Sequence, residues 1–164
     1  MTIGSNIADK VVQRLAAPTG VNGRLAEFTQ AEDSIVPRIM EKQIFAQNVS
    51  SEVAERSLDL KYPTMNVYCE RITNDLKEKF RTFSGTVEMA IEIRLSQDRL
   101  DALERRLQLY ADAVMQVLTA SRGDWGDGMF FVGAYKIAFG PVKHGGRNFI
   151  QATKITFEVG ISRN

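Results

Sequence analysis

Between Thr86 and Leu95 the chain reads TVEMAIEIRL, an unbroken alternation of apolar and polar residues. Val87, Met89, Ile91, Ile93 and Leu95 share one side, and Thr86, Glu88, Ala90, Glu92 and Arg94 share the other. Side chains along a strand point alternately to opposite faces, so this passage is a β-strand with one buried and one polar face. The period then changes. From Gln97 to about Ala120, Leu100, Leu103, Leu107, Tyr110, Val114 and Leu118 recur at steps of three and four, the spacing of a single helical stripe. Asp98, Arg99, Asp101, Glu104, Arg105 and Asp112 occupy the other faces. A one-faced strand that runs into a one-striped helix is satisfied when the helix lies across the sheet.

The remaining elements are read around that centre. Ile3, Ile7, Val11 and Leu15 step by four and predict a short helix that ends before Ala17-Pro18. Pro18 to Gly23 reads as a loop, and Leu25 and Phe28 suggest one further turn. Ile35, Ile39, Ile44, Phe45 and Val49 suggest another helix, with Asp33 or Ser34 at its start and Pro37 in its first turn. Asn48 to Leu60 is more charged, a helix end plus linker or a segment that orders on a partner. Tyr62-Pro63 opens an extended stretch in which Met65, Val67 and Cys69 alternate with Asn66, Tyr68 and Glu70. Asn74–Arg81 is a polar, basic connection. Gly123 is a helix stop, GDWGDG (123–128) a loop, and Phe131–Phe139 and Ile155–Ile161 a third and fourth strand. The expected fold is α+β: a mainly antiparallel four-stranded sheet (ββαββ) with the long central helix on one face, preceded by N-terminal helices. Residues 1–60 form the helical segment and 61–164 the core of a single domain.

A chain of 164 residues needs no staples to bury an ordinary core. The formal net charge of +1 argues against a dedicated duplex binder, which carries a basic excess to match phosphates. One cysteine, Cys69, excludes an internal disulfide and is read as a buried, inert thiol. The first residues, MTIGSNIADK, lack the features of a secretory signal, and no apolar run reaches membrane-span length. A soluble, cytoplasmic product is expected.

No set of nucleophile, base and oxyanion donors stands out, so an enzyme is not expected. His144, the only histidine, sits between Lys143 and Gly145-Gly146-Arg147 and marks an exposed hairpin tip. Asp124 and Asp127 lack the ligand spacing of a calcium loop, so neither a metal nor a cofactor is expected. Trp125 between them packs on the sheet edge or inserts into a neighbouring subunit. Lys143, His144 and Arg147 form one basic loop, and Lys77, Lys79 and Arg81 load the other. Glu88, Glu92 and Arg94 on the polar strand face are either solvated or form a charged seam against another copy.

With this order of elements in place, the chain from Lys61 to Ile161 resembles the tail terminator (tail-completion or neck) proteins of tailed bacteriophages. The likeness lies in KYPTMNVYCERI (61–72), in the strand-to-helix passage FSGTVEMAIEIRLSQDRLDALERRLQLYADAVMQVL (83–118) and in ATKITFEVGI (152–161). It implies a structural virion protein that forms a homo-oligomeric ring, usually a hexamer. The ring caps the tail tube, joins it to the head-closure or connector proteins of the neck, and lets DNA pass through its lumen. On that reading Glu88, Glu92, Arg94 and Trp125 make the subunit interface. Lys77, Lys79, Lys143, His144 and Arg147 face the lumen or a neighbouring ring. The alternatives are a head-completion or adaptor protein of the neck and, from another class, a small ligand- or RNA-binding α+β module. Glu88 and Glu92 on the polar face disfavour the RNA module, because they repel phosphate.

Overall fold

A computed structural model describes residues 2–31, 36–50, 53 and 61–164. Its elements, in chain order, begin with helices α1 (Ile3–Ala16) and α2 (Val21–Ala31) and strands β1 (Ile44–Phe45), β2 (Thr64–Asn74) and β3 (Phe83–Gln97). Helix α3 (Leu103–Ala120) follows. Then come β4 (Gly123–Gly126), β5 (Met129–Phe131), β6 (Tyr135–Phe139), β7 (Lys143–Gly145) and β8 (Asn148–Arg163). The class is α+β, with the sheet antiparallel at every pairing except β1 with β2.

The expected four-stranded sheet is corrected to eight strands in the path β1-β2-β3-β8-β5-β4, with β6 and β7 also on β8. The centre is the β3–β8 ribbon, paired without a break from Phe83↔Arg163 to Gln97↔Phe149. At about 3.4 Å per residue it is roughly 50 Å long, and a ribbon of that length twists and curls. The predicted third strand is cut into β5, β6 and β7. Phe130 pairs with Gly160 and Tyr135 with Phe157, so residues 131–134 stand against only 158 and 159. Gly133, at φ 98°, takes up the surplus. The loop expected at 123–128 is a β4–β5 hairpin whose turn is Asp127-Gly128, and the connection after Pro141 pairs as β7 with the start of β8.

Helices α1, α2 and α3 pack into one core with the apolar sheet face. Val87, Met89, Ile91, Ile93 and Leu95 of β3 meet Ile155, Phe157, Val159 and Ile161 of β8, with Ile7, Val11 and Leu15 of α1 above them. Leu103, Leu107, Tyr110, Val114 and Leu118 form the buried stripe of α3 as its period requires. Burying each such large side chain stabilises the fold by roughly 1.5–3 kcal/mol. The helix does not begin at Gln97, however. Leu95, Ser96 and Gln97 still pair with Gln151, Ile150 and Phe149, and Leu100 is left exposed in the turn before Ala102 at φ 63°. Cross-strand hydrogen bonds claim residues that carry no pattern of their own.

The N-terminal region packs on the core, and its elements differ from those expected. Where one turn was expected at Leu25–Phe28, α2 runs over Val21–Ala31. The helix predicted from Ile35 to Val49 is absent where the chain is described, while Asp33, Ser34, Ile35 and most of 51–60 lie outside the described residues. Ile39 is held extended instead. The Asn22 side chain accepts from its N–H at 2.8 Å and donates to its carbonyl at 2.7 Å, using both groups a helix would need. A short 3-10 turn at Glu41–Gln43 follows, and Ile44-Phe45 joins the sheet beside Met65-Asn66. Buried Gln43 anchors this corner by donating to the Lys61 and Pro63 carbonyls.

Candidate functional site

With the helices on one face of the sheet, the other face carries the charged residues singled out above. The β2–β3–β8 registers set Tyr68, Ala90 and Thr156 in one row, Asn66, Glu92 and Lys154 in the next, and Glu88 beside Glu158. The β2 bulge between Cys69 and Arg71 leaves Glu70 as the extra residue.

One end of this face is closed. Arg94 is 2% exposed, so it is corrected from a surface charge to a buried one. Its guanidinium pairs with Glu92, donates to Asn66 Oδ1 at 3.0 Å and lies 3.4 Å from the Val49 carbonyl. Glu92 in turn accepts from Tyr68 Oη at 2.6 Å. Burial, then the hydrogen bond and charge of Glu92, push the Tyr68 phenol well above its ordinary range. A buried guanidinium is tolerable only when so paired, and the four side chains of Arg94, Glu92, Asn66 and Tyr68 form one interdependent network.

The other end is open. Where residues 131–134 bulge away from β8, a cleft of about 440 Å³ forms. Val132, Ala134, Tyr135 and Phe157 contribute the apolar part of its lining, and Glu70, Glu88, Glu158 and Lys136 the charged part. Lys154 pairs with Glu70, and Arg71 stands 3.7 Å from Glu88. Glu158 faces Glu88 across the strand pair and has no ion pair among the described residues.

The sequence-selected residues therefore scatter. Glu88 lies on the open end, while Glu92 and Arg94 are committed to the closed one. Trp125 is 6% exposed within its own chain: it packs against Phe131, donates Nε1–H to the Ser121 carbonyl at 2.6 Å, and lies under the Arg14 guanidinium. Lys143, His144 and Arg147 sit at the exposed tip of the β7–β8 hairpin, where His144 rests edge-on against Phe149. Lys77 and Lys79 are exposed on the β2–β3 connection, Lys77 3.5 Å from Asp75. Cys69 is half-buried beside Gly4, and burial raises its thiol pKa.

Two features escaped the periodicity. One is the exposed apolar series Phe130, Val132, Phe139 and Val142 along the interrupted β5–β6–β7 strand. Among the described residues β6 pairs only with β8, so its outer edge is open. The other is Phe80, 99% exposed on the β2–β3 connection. Its only sequence signal was an aromatic residue inside a charged loop.

Among the described residues no group of three His, Cys, Asp or Glu side chains is placed to hold a metal ion, and no helix is long and apolar enough to cross a membrane. No protein-family model matches the chain, and no curated protein matches it by sequence.

Proposed function

We propose that the protein is a structural subunit of a tailed bacteriophage, a tail terminator whose ring caps the tail tube and joins it to the neck. The observation that carries this reading is the outer edge of β6, unpaired among the described residues, with Phe139 exposed on β6 and Phe130, Val132 and Val142 exposed on the segments before and after it. An open edge lined with apolar side chains is a template for another chain, and soluble proteins cover or charge such edges unless association is their purpose. The arrangement of helices on one face of a long ribbon adds support, because it leaves the opposite face and the edge for neighbours. A ring needs a contact between two different surfaces whose rotation closes.

Within this assembly Glu88 and the open end of the charged face belong to the subunit contact. Glu92 and Arg94 act indirectly, by fixing the shape of that face, and Trp125 by holding the β4–β5 hairpin onto the core. The hairpin tip with Lys143, His144 and Arg147 projects toward the lumen or the next ring, where a modest positive charge suits passing DNA.

The test is to add purified protein to growing tail tubes and measure tube length, alongside native mass spectrometry of the protein alone and with tube ends. A terminator arrests growth and appears as a ring at tube ends. Protein that ignores tubes and binds portal complexes would move it to the adaptor position in the neck. Indifference to both would remove it from the phage tail altogether.

A further inference from the structure

The β2–β3 connection is unusually well held for a loop that carries a bare aromatic ring. Ser84 O accepts from the Asp75 and Lys77 amides, and Ser84 Oγ accepts from the Glu78 amide at 3.1 Å. Asn74 bridges the Thr82 carbonyl and the Ser84 amide. Glu78 accepts from Arg81 and from Ser162 Oγ, and Arg81 reaches Asn164 Oδ1 at 2.6 Å. Within this frame Leu76 and Phe80 adopt φ of 49° and 65°, left-handed conformations that bulky residues avoid. Strain sustained by so many bonds, and spent on holding a fully exposed phenylalanine outward, points to function. The loop is a preorganised protrusion, with Lys79 beside its tip and without an ion pair among the described residues.

The same chain carries a concavity of matching character. The cleft at the β5–β6 bulge has Val132, Ala134, Tyr135 and Phe157 in its lining, and beside it Glu158 has no ion pair among the described residues. Its volume of about 440 Å³ is ample for a phenyl ring. Phe80 does not occupy it within its own chain, being 99% exposed. The loop bonds to Arg163 at the end of β8, whereas the cleft lies at Thr156–Glu158, further back along that strand. Protrusion and socket thus sit on different parts of the surface, the requirement for a head-to-tail contact.

We infer that Phe80 of one copy inserts into the Val132–Tyr135 cleft of the next, with Lys79 meeting Glu158. The inference rests on the ring reading only for closure of the series; the pairwise contact stands on the complementarity of apolar ring with apolar lining and of Lys79 with Glu158, neither of which has an ion pair among the described residues.

The experiment uses two full-length variants, Phe80→Asp and Val132→Asp, both at exposed positions, and follows mass by native mass spectrometry and light scattering. Wild-type protein self-associates. Each variant alone is monomeric, with dimer affinity lowered at least about 30-fold, the loss expected of an aromatic anchor. Mixed together they form a 1:1 heterodimer and nothing larger, because the first retains an intact cleft and the second an intact protrusion. Lys79→Glu and Glu158→Lys each weaken association, and the double swap restores it. Wild-type protein that stays monomeric up to its solubility limit, Phe80→Asp that still associates, or a mixture that yields no heterodimer each overturns the contact. An assembly that depends on Phe80 but grows as an open filament, or fails to arrest tail tubes, supports the contact while removing the terminator reading.

Discussion

Glu92 and Glu88 stand four residues apart on the same face of the same strand, and their surroundings have little in common. Glu92 is enclosed with Arg94, Asn66 and Tyr68, every one of them contributing a bond to the network. Glu88 borders an open cleft, faces Glu158 across the ribbon, and among the described residues has only Arg71, at 3.7 Å, as an ion-pair partner. At the first end charge is buried and must be neutralised internally. At the second, like charges are tolerated because water screens them. One polar strand face therefore holds a closed half, neutralised internally, and an open half, screened by water.

The comparison is sharpest under truncation. Glu92→Ala leaves the Arg94 guanidinium buried without its counter-charge and lowers stability by about 3–5 kcal/mol, measured by denaturant unfolding. Glu88→Ala, with its partially exposed pair, costs at most about 1 kcal/mol. Equal losses at the two positions would abolish the distinction between the halves. Asn66→Ala removes an acceptor from the same buried guanidinium and lowers stability by about 1.5–3 kcal/mol without touching association.

Tyr68→Phe deletes the bond to Glu92 and costs about 1 kcal/mol at neutral pH. It also tests a pH dependence. The folded state holds the Tyr68 phenol protonated beyond the ordinary value of about 10, chiefly through burial. Above that pH the unfolded chain has lost the proton while the folded chain keeps it, so stability falls as pH rises. Tyr110, buried in α3, shifts in the same direction. Melting temperatures followed from pH 8 upward should decline less steeply for Tyr68→Phe than for the wild type, with part of the slope retained through Tyr110. A slope unchanged by the substitution would show that the phenol is not held in this way.

The smallest effect belongs to the open end. Glu158→Gln relieves the like-charge pairing with Glu88, and its melting temperature is unchanged or slightly raised. Its consequence appears instead in self-association, which weakens. A marked loss of stability would place Glu158 in the folded network and the boundary between the halves elsewhere.

Much of the scaffold was legible because its signals are local and periodic. Alternation from Thr86 to Leu95 fixed β3 and its buried face, and the stripe Leu103–Leu118 fixed the packing side of α3. Ile3, Ile7, Val11 and Leu15 did the same for α1, since a helix with one apolar side has one way to bury it. Three other features depended on partners distant in sequence. Asn22 decided that Ile39 runs extended, and the register with β8 carried β3 through Gln97 and divided the predicted third strand at Gly133. Proximity of the Val49 carbonyl and of Asn66 made Arg94 an interior charge. Period two says which face a residue occupies, but whether that face meets water, another segment or an open cleft is settled only when remote parts of the chain fold over it. The same reason hid Phe80, whose exposure depends on a hydrogen-bond frame drawn from Asn74, Ser84, Ser162 and Asn164.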